Sequence, residues 1–316
     1  VKRASVLVLL ILSVAVLAFA SSQQAQQTPA PAPDLVSTVV TVINHRSGPM
    51  PRVVADDIII RQNGERRPMV DWQPLTGAHA SMDVAVLVDD SLEASVALQW
   101  PGVKDFIRDL PQGSRVATVY GTGSRAEFVQ PFTTDRELAI KALRLPRGDM
   151  NEGSSIYLSL EALLKRWPED HNRRVVLLIS DGIDLFYGVR ESEAGQNINL
   201  QKAINLAQKK GVIVDSIFAS GAAAYSRNFY LVGNGQSCLG RLAFETGGRS
   251  YTTGFQTPVD MGPFLKRIAD SFRRQYRLTF RAKLPRKAGF ARLQLKTEQH
   301  GIELRAASRV YLPAAL

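Results

Sequence analysis

The sequence predicts an α/β protein, a doubly wound and mainly parallel sheet accompanied by a small β-sandwich built from the N- and C-terminal strands. Three observations carry this expectation. Two continuous apolar runs, Met82-Asp83-Val84-Ala85-Val86-Leu87-Val88 and Val175-Val176-Leu177-Leu178-Ile179, have the composition of parallel strands buried on both faces. Strand and helix patterns alternate between residues 82 and 274, as a parallel sheet with crossover helices requires. Before and after that stretch the pattern changes to short strands with period-two alternation.

Taken in order, residues 1–20 read as an export signal. Lys2 and Arg3 precede an apolar stretch from Val6 to Leu17, and Ala18-Phe19-Ala20 supplies a small-x-small cleavage pattern. About 15 apolar residues fall short of the roughly 20 that span a bilayer, so cleavage is favoured over a retained anchor. Residues 21–34 form a Gln-, Pro- and Ala-rich tether, too polar to pack. In residues 35–75, Val36, Thr38, Val40 and Val42 alternate, 57–61 is a second run, and Asn63-Gly64 is a hairpin signal.

Residues 80–274 form the expected α/β unit. Strands are placed at 82–88, 115–120, 126–130, 174–179, 212–219 and 249–252. Helices are placed at 135–143, 155–167, 200–210, 239–246 and 259–274, with a further one ending near Leu110 that starts or kinks at Pro101. The stretch 221–237 reads as a long loop, with Gly233-Asn234-Gly235-Gln236 as a glycine turn; its two Tyr and a Phe suit a contact surface, with a plain surface loop as the alternative. Residues 275–313 return to alternating strands, which pair naturally with those of 35–75.

Composition bounds the function. With 45% hydrophobic and 22% charged residues the 316-residue chain is globular rather than fibrous. Cys238 is the only cysteine, which excludes an intramolecular disulfide and a cysteine metal cluster; Leu239, Leu242 and Ala243 beside it suggest a buried helix position. Between Lys266 and Arg309 thirteen Lys or Arg face only Asp270, Glu298 and Glu303, a local excess equal to the +10 of the whole chain. Such a stripe suits an anionic polymer or an envelope surface, but Arg277, Arg281, Arg292 and Lys296 alternate with apolar residues as the wet face of half-buried strands does. Export argues against nucleic acid.

The chemistry concentrates at strand ends. Asp89-Asp90-Ser91-Leu92-Glu93 follows the first buried strand and Ser180-Asp181-Gly182 follows the second. Ligand sites in open α/β sheets lie just beyond such carboxyl ends. Two carboxylates on neighbouring strand tips repel unless a proton, a cation or a basic side chain lies between them, and Mg²⁺ satisfies both. Glu152-Gly153-Ser154-Ser155-Ile156-Tyr157 adds hydroxyls in front of an amphipathic helix. Ser154 reads as the helix N-cap and also as a hydroxyl ligand. Asp90 and Asp184 read as solvated turn residues.

These three motifs, in this order, resemble those of von Willebrand factor A domains and their metal-ion-dependent adhesion site. The Ala243-Phe244-Glu245-Thr246-Gly247-Gly248-Arg249-Ser250-Tyr251 run is similar to one near the end of such domains, and the resemblance spans roughly residues 82–274. It implies a von Willebrand factor A-like, Rossmann-related fold in which Asp89, Ser91, Ser154 and Asp181 hold Mg²⁺. It also implies an exported, adhesion-type module that binds a protein partner through an acidic side chain. Glu93 stands where the family has a neutral Ser; turned inward it is a further ligand, turned outward it leaves one missing. The ends of the chain resemble a bacterial group of exported relatives, with Val310-Tyr311-Leu312-Pro313 in place of a Gly-Tyr-x-x-Pro ending. The expected site is a binding rather than a catalytic one, because none of His45, His79, His171 and His300 falls in a motif with a nucleophile. The alternatives are a metal-dependent phosphoesterase using Asp89 and Asp181, and an envelope scaffold with a vestigial site.

Overall fold

The computed structural model describes residues 34–46, 48, 51–148, 154–169 and 173–315. The export signal, the tether apart from Asp34, and Glu152 and Gly153 of the hydroxyl turn lie outside the described residues. Four strands come first: β1 (Leu35–Asn44), β2 (Ile58–Gln62), β3 (Glu65–Arg67) and β4 (Met69–Pro74). The central unit runs β5 (Met82–Asp89), α1 (Trp100–Arg108), β6 (Arg115–Thr122), β7 (Arg125–Thr133), α2 (Arg136–Lys141), α3 (Ile156–Lys165) and β8 (Arg173–Ser180). It continues with α4 (Ile198–Lys210), β9 (Val212–Phe218), α5 (Phe229–Thr246), β10 (Ser250–Tyr251) and α6 (Gly262–Phe272). Four further strands close the chain: β11 (Gln275–Arg281), β12 (Gly289–Thr297), β13 (Ile302–Arg305) and β14 (Arg309–Leu312).

The central sheet has the order β10-β9-β8-β5-β6-β7, parallel throughout except for β7, which returns antiparallel to β6. The β6–β7 turn uses Gly123 and Ser124 at positive φ, the backbone that a tight two-residue hairpin requires. All residues of β5 and β9 are buried, as their continuous apolar character requires. Side chains alternate between two cores. Val84, Val86 and Val88 pack toward α1 and α6, whereas Ala85 and Leu87 pack toward α3, α4 and α5.

The chain ends build two antiparallel four-stranded sheets, β13-β1-β11-β4 and β14-β12-β2-β3. Val40, Val42, Ile60, Leu278, Phe280 and Leu312 fill the space between them. Asn63 and Gly64 both have positive φ and join β2 to β3, the backbone that a two-residue hairpin demands. The expected sandwich from both termini is therefore present. Pairing β1 with β11 in register from Leu35↔Arg281 to Thr41↔Gln275 joins residues some 240 positions apart.

One element departs from expectation. Helix α5 starts at Phe229, ten residues before the predicted Leu239, so Gly233-Asn234-Gly235-Gln236 is helical rather than a turn. Asn228 caps it, its side chain accepting from the backbone N–H groups of Tyr230 (2.9 Å) and Leu231 (3.4 Å). Glycine lowers helix propensity, which hides this turn from a sequence reading. Tertiary packing overrides that preference at Gly235, where a methyl group would collide with the Asp181 carbonyl oxygen. Cys238 lies on the same helix, fully buried as expected, with burial pushing its thiol up to about 12.

Candidate functional site

The sheet register sets the site. Val88 of β5 lies opposite Ile179 of β8, so Asp89 emerges beside Ser180 and its carboxylate reaches the next strand tip. Ser180 Oγ donates to Asp89 Oδ2 at 2.7 Å, and Ser91 donates to Oδ1 from both its hydroxyl (2.7 Å) and its backbone N–H (3.1 Å). The turn is held in place from β9. A bridge between Leu92 and Gly221 is flanked by Glu93 N–H to the Ser220 carbonyl (3.1 Å) and Ala222 N–H to the Ser91 carbonyl (2.9 Å).

Asp181, one residue past β8, is 2% exposed. Its Oδ1 accepts from the Ile183 N–H at 2.9 Å and its Oδ2 from Ser226 Oγ at 3.1 Å. Gly221 lies so close that a Cβ there would overlap Asp181 Oδ2 and Ser226 Oγ. Both site carboxyls titrate above the ordinary range. Burial is the main cause for each, and the charge of Asp89 adds to the shift of Asp181. For Asp89 the hydrogen bonds from Ser91 and Ser180 oppose the shift without cancelling it.

Asp90 contrasts with its neighbour. It was expected in solvent but is 1% exposed. Arg144 grips it with its two terminal guanidinium nitrogens at 2.6 and 3.0 Å, and Thr122 Oγ1 donates at 2.8 Å. The Arg147 backbone N–H adds a bond at 3.0 Å, and its side chain spans Asp90 and Glu127. Burial alone raises the Asp90 carboxyl, but these donors outweigh it and hold the carboxyl below the usual range. Asp184 is likewise not solvated: at 3% exposure it accepts from Ser155 Oγ (2.8 Å), Asn197 Nδ2 (3.2 Å) and Asn199 Nδ2 (3.1 Å). It ties the starts of α3 and α4 to the β8 loop. Sequence patterns do not reveal such long-range donors.

A cavity of about 10 Å³ lies between the loops, close to the ~10–15 Å³ that a single water-sized particle needs. Asp89, Ser91, Ser154 and Ser155 line it, together with Gly121 and Ser159. Three of the four expected ligands thus meet at one cavity; Asp181 is not among its lining residues, though its carboxyl is close enough to feel the charge of Asp89. Glu93 is not among the lining residues; its Oε2 accepts from Ser95 Oγ at 3.3 Å on the exposed side of the turn. The helix cap also moves by one residue. Ser155 caps α3 through Leu158 N–H at 3.4 Å, which leaves the Ser154 hydroxyl outside the cap. Ser180 and Ser226, the hydroxyl donors to the two site carboxylates, were not anticipated. Ser180 stands next to Asp181 in sequence, whereas nothing in the sequence around Ser226 marks it.

The donor set fits a hard divalent cation, being all oxygen: the Asp89 carboxylate and several serine hydroxyls on the cavity wall, with the Asp181 carboxylate at the next strand tip. Among the described residues no three His, Cys, Asp or Glu side chains form a metal-holding group, so two carboxylates and hydroxyls are what this site offers. Aromatic side chains stand nearby. Three residues after Ser226, Phe229 is 70% exposed and meets Phe255 with ring centroids 5.0 Å apart.

No family model matches the sequence, and no curated protein matches it. Among solved structures, an aerotolerance-related membrane protein from Bacteroides fragilis is similar at 14% identity, covering 61% of this chain and 98% of that one, with a TM-score of 0.41. A von Willebrand factor type A protein from Catenulispora acidiphila matches at 13% identity over 91% of this chain and 75% of its own, with a TM-score of 0.38. The SpRpn10 VWA domain matches at 13% identity over 60% and 93%, with a TM-score of 0.37. With its β10-β9-β8-β5-β6-β7 sheet, helices on both faces and acidic turns at the tips of β5 and β8, the central unit has a von Willebrand factor A-like fold.

Proposed function

We propose that this chain is an exported binding module that takes up Mg²⁺ at Asp89, Ser91, Ser154 and Asp181 and through it an acidic side chain of a protein partner. One observation supports this above the others. Two buried carboxylates stand at adjacent strand tips with only hydroxyl and N–H partners, while Asp90 beside them has two arginines. Bound Mg²⁺ supplies an electrophilic centre able to accept one more oxygen ligand. Asp89 and Asp181 provide the negative charge, Ser91 and Ser154 present hydroxyls, and Gly221 leaves the room that the Asp181 carboxylate occupies. Exposed Phe229 and Phe255 offer apolar contact beside the site. Export rests on the signal pattern of residues 1–20. Among the described residues no helix is long and apolar enough to cross a membrane.

Calorimetric titration with Mg²⁺ tests the reading. Heat is expected from the wild type and none from Asp89→Ala; a silent wild type removes the metal and leaves the scaffold alternative. Recovery of partners from an envelope extract is expected to fall when a chelator is present, and equal recovery with and without it sinks the metal-mediated contact.

A further inference from the structure

A second feature lies at the opposite end of the sheet, where β8 begins. Eight residues of β8 separate it from the acidic tips, roughly 23 Å at ~3.3 Å per residue. Here residues 36–39 of β1, the last turn of α4 and the start of β14 enclose a cleft of about 650 Å³. That size falls within the ~300–1,000 Å³ of small-molecule sites.

The lining is strongly one-signed. Arg173, Arg174, Lys209, Lys210, Arg277 and Arg309 contribute six cations, and Glu169 is the one acid among the described lining residues. Glu169 is already engaged by Lys210 Nζ at 2.7 Å, and Arg309 leans on Glu245 at 3.6 Å outside the cleft. Arg173, Lys209 and Arg277 have no carboxylate partner among the described residues. Lys209 instead lies over the Tyr311 ring, 4.7 Å from its centroid.

Arg173 makes the arrangement costly. It is 4% exposed, and its terminal nitrogens donate to the Phe272 carbonyl (2.9 Å), Gln275 Oε1 (2.7 Å) and the Ala80 carbonyl (2.6 Å). Its Nε has no hydrogen-bond acceptor among the described residues. Burial, with the neighbouring charge of Arg277, brings its guanidinium down to about 10. Neutral oxygens orient this cation without neutralising it, and a second cation beside it adds repulsion.

We propose that this cleft binds a compact, multiply charged phosphate-bearing anion, with Arg277 and Lys209 as its direct contacts and Arg173 as the fixed charge at the cleft wall. Guanidinium groups present paired N–H donors that match phosphate oxygens, and an excess of five positive charges among the lining residues calls for more than one negative charge. The chemistry is common to a soluble polyphosphate or phosphate ester and to an anionic phospholipid headgroup. The proposal is independent of Mg²⁺ at the strand tips.

The test uses the whole chain at low ionic strength. One arm titrates sodium tripolyphosphate calorimetrically; the other sediments the protein with vesicles of phosphatidylglycerol and phosphatidylcholine, against phosphatidylcholine alone. The Lys209→Gln/Arg277→Gln double variant is compared with Arg292→Gln/Lys296→Gln, which removes the same charge from exposed positions outside the cleft. Binding that falls with added NaCl, weakens at least tenfold in the first variant and holds within twofold in the second is expected. Tripolyphosphate binding without vesicle binding assigns a soluble ligand, and the reverse assigns a headgroup. Absence of both, or equal weakening in the two variants, overturns the proposal. Should the double variant unfold on heating earlier than the wild type, Lys209→Gln alone, at an exposed position, carries the comparison.

Discussion

Asp89 and Asp90 are neighbours in sequence and both buried, yet they lie in opposite electrostatic surroundings. Asp90 is enclosed by Arg144, Arg147 and Thr122, and its carboxyl lies below the ordinary range. Asp89 meets hydroxyls and one N–H, and burial, with the charge of Asp90 adding to it, holds its carboxyl above that range. Arginine is thus within reach of this corner of the sheet, and it pairs with Asp90 and Glu127 but not with Asp89. The difference separates a structural carboxylate from a reserved one: a residue that only needs to hold loops together gains from a permanent counter-ion, whereas a ligand for a mobile cation must be left without one.

The largest expected effect comes from breaking the structural half. Asp90→Ala removes the buried partner of Arg144 and leaves it only the half-exposed Glu127, and a loss of about 3 kcal/mol in urea unfolding is expected, since breaking a buried pair costs roughly 3–5 kcal/mol and Arg144 is partly solvated. Asp181→Asn, measured at pH 8 without divalent ions, is expected to show no loss and a gain on the order of 1 kcal/mol, because it removes a buried charge. If the two variants unfold at the same urea concentration, the distinction between the carboxylates is wrong.

Packing behind the site sharpens the comparison next. Gly235→Ala drives a methyl into the Asp181 carbonyl, and a loss of about 2–3 kcal/mol is expected, typical of overpacking. Mg²⁺ binding should weaken with it. A wild-type melting profile for this variant would show that helix α5 yields readily and does not fix Asp181.

Asp215 on β9 supplies a carboxylate with neither arginine clamp nor proposed cation. Burial raises it to about 6, partly opposed by the Arg249 N–H at 2.8 Å. The folded chain therefore holds this proton more tightly than the unfolded one, so the contribution is fully present below about pH 4 and is lost as pH rises to about 6. At ~1.4 kcal/mol per pKa unit the span is about 2–3 kcal/mol. Asp215→Asn keeps an acceptor for the Arg249 N–H and should flatten the unfolding free energy across that window relative to the wild type; parallel curves exclude Asp215 as the source.

The smallest effect is a control on the same helix. Gly233 has nothing within 4 Å of where a Cβ would stand. Gly233→Ala is expected to stabilise by about 0.5–1 kcal/mol through helix propensity and reduced freedom of the unfolded chain. A loss as large as that of Gly235→Ala would mean that helix-wide effects, rather than contact with Asp181, set both results.

Much of the central sheet is legible in the sequence because its strands are buried on both faces and leave uninterrupted apolar runs, as at 82–88 and 175–179. The hairpin at Asn63-Gly64 is legible because few residues tolerate two successive positive φ values. The first ten residues of α5 are not, since its glycines have poor local propensity, and at Gly235 only the neighbouring Asp181 carbonyl explains the choice. The candidate ligands at strand tips follow from strand ends plus residue type. Their partners do not: Ser226, Arg144 and the two asparagines on Asp184 come from loops and helices many residues away.

The sequence by itself determined the alternation of elements, the strand tips on which Asp89 and Asp181 stand, and the hydroxyl turn preceding α3. Those features depend on periodicity and on residues adjacent along the chain. Tertiary structure decided which carboxylate is neutralised, which serine caps α3, which way Glu93 turns, and that Arg277 faces a cleft beside buried Arg173 rather than open solvent. Each of those outcomes depends on desolvation and on charges brought together from distant segments, and neither exists until the chain has folded.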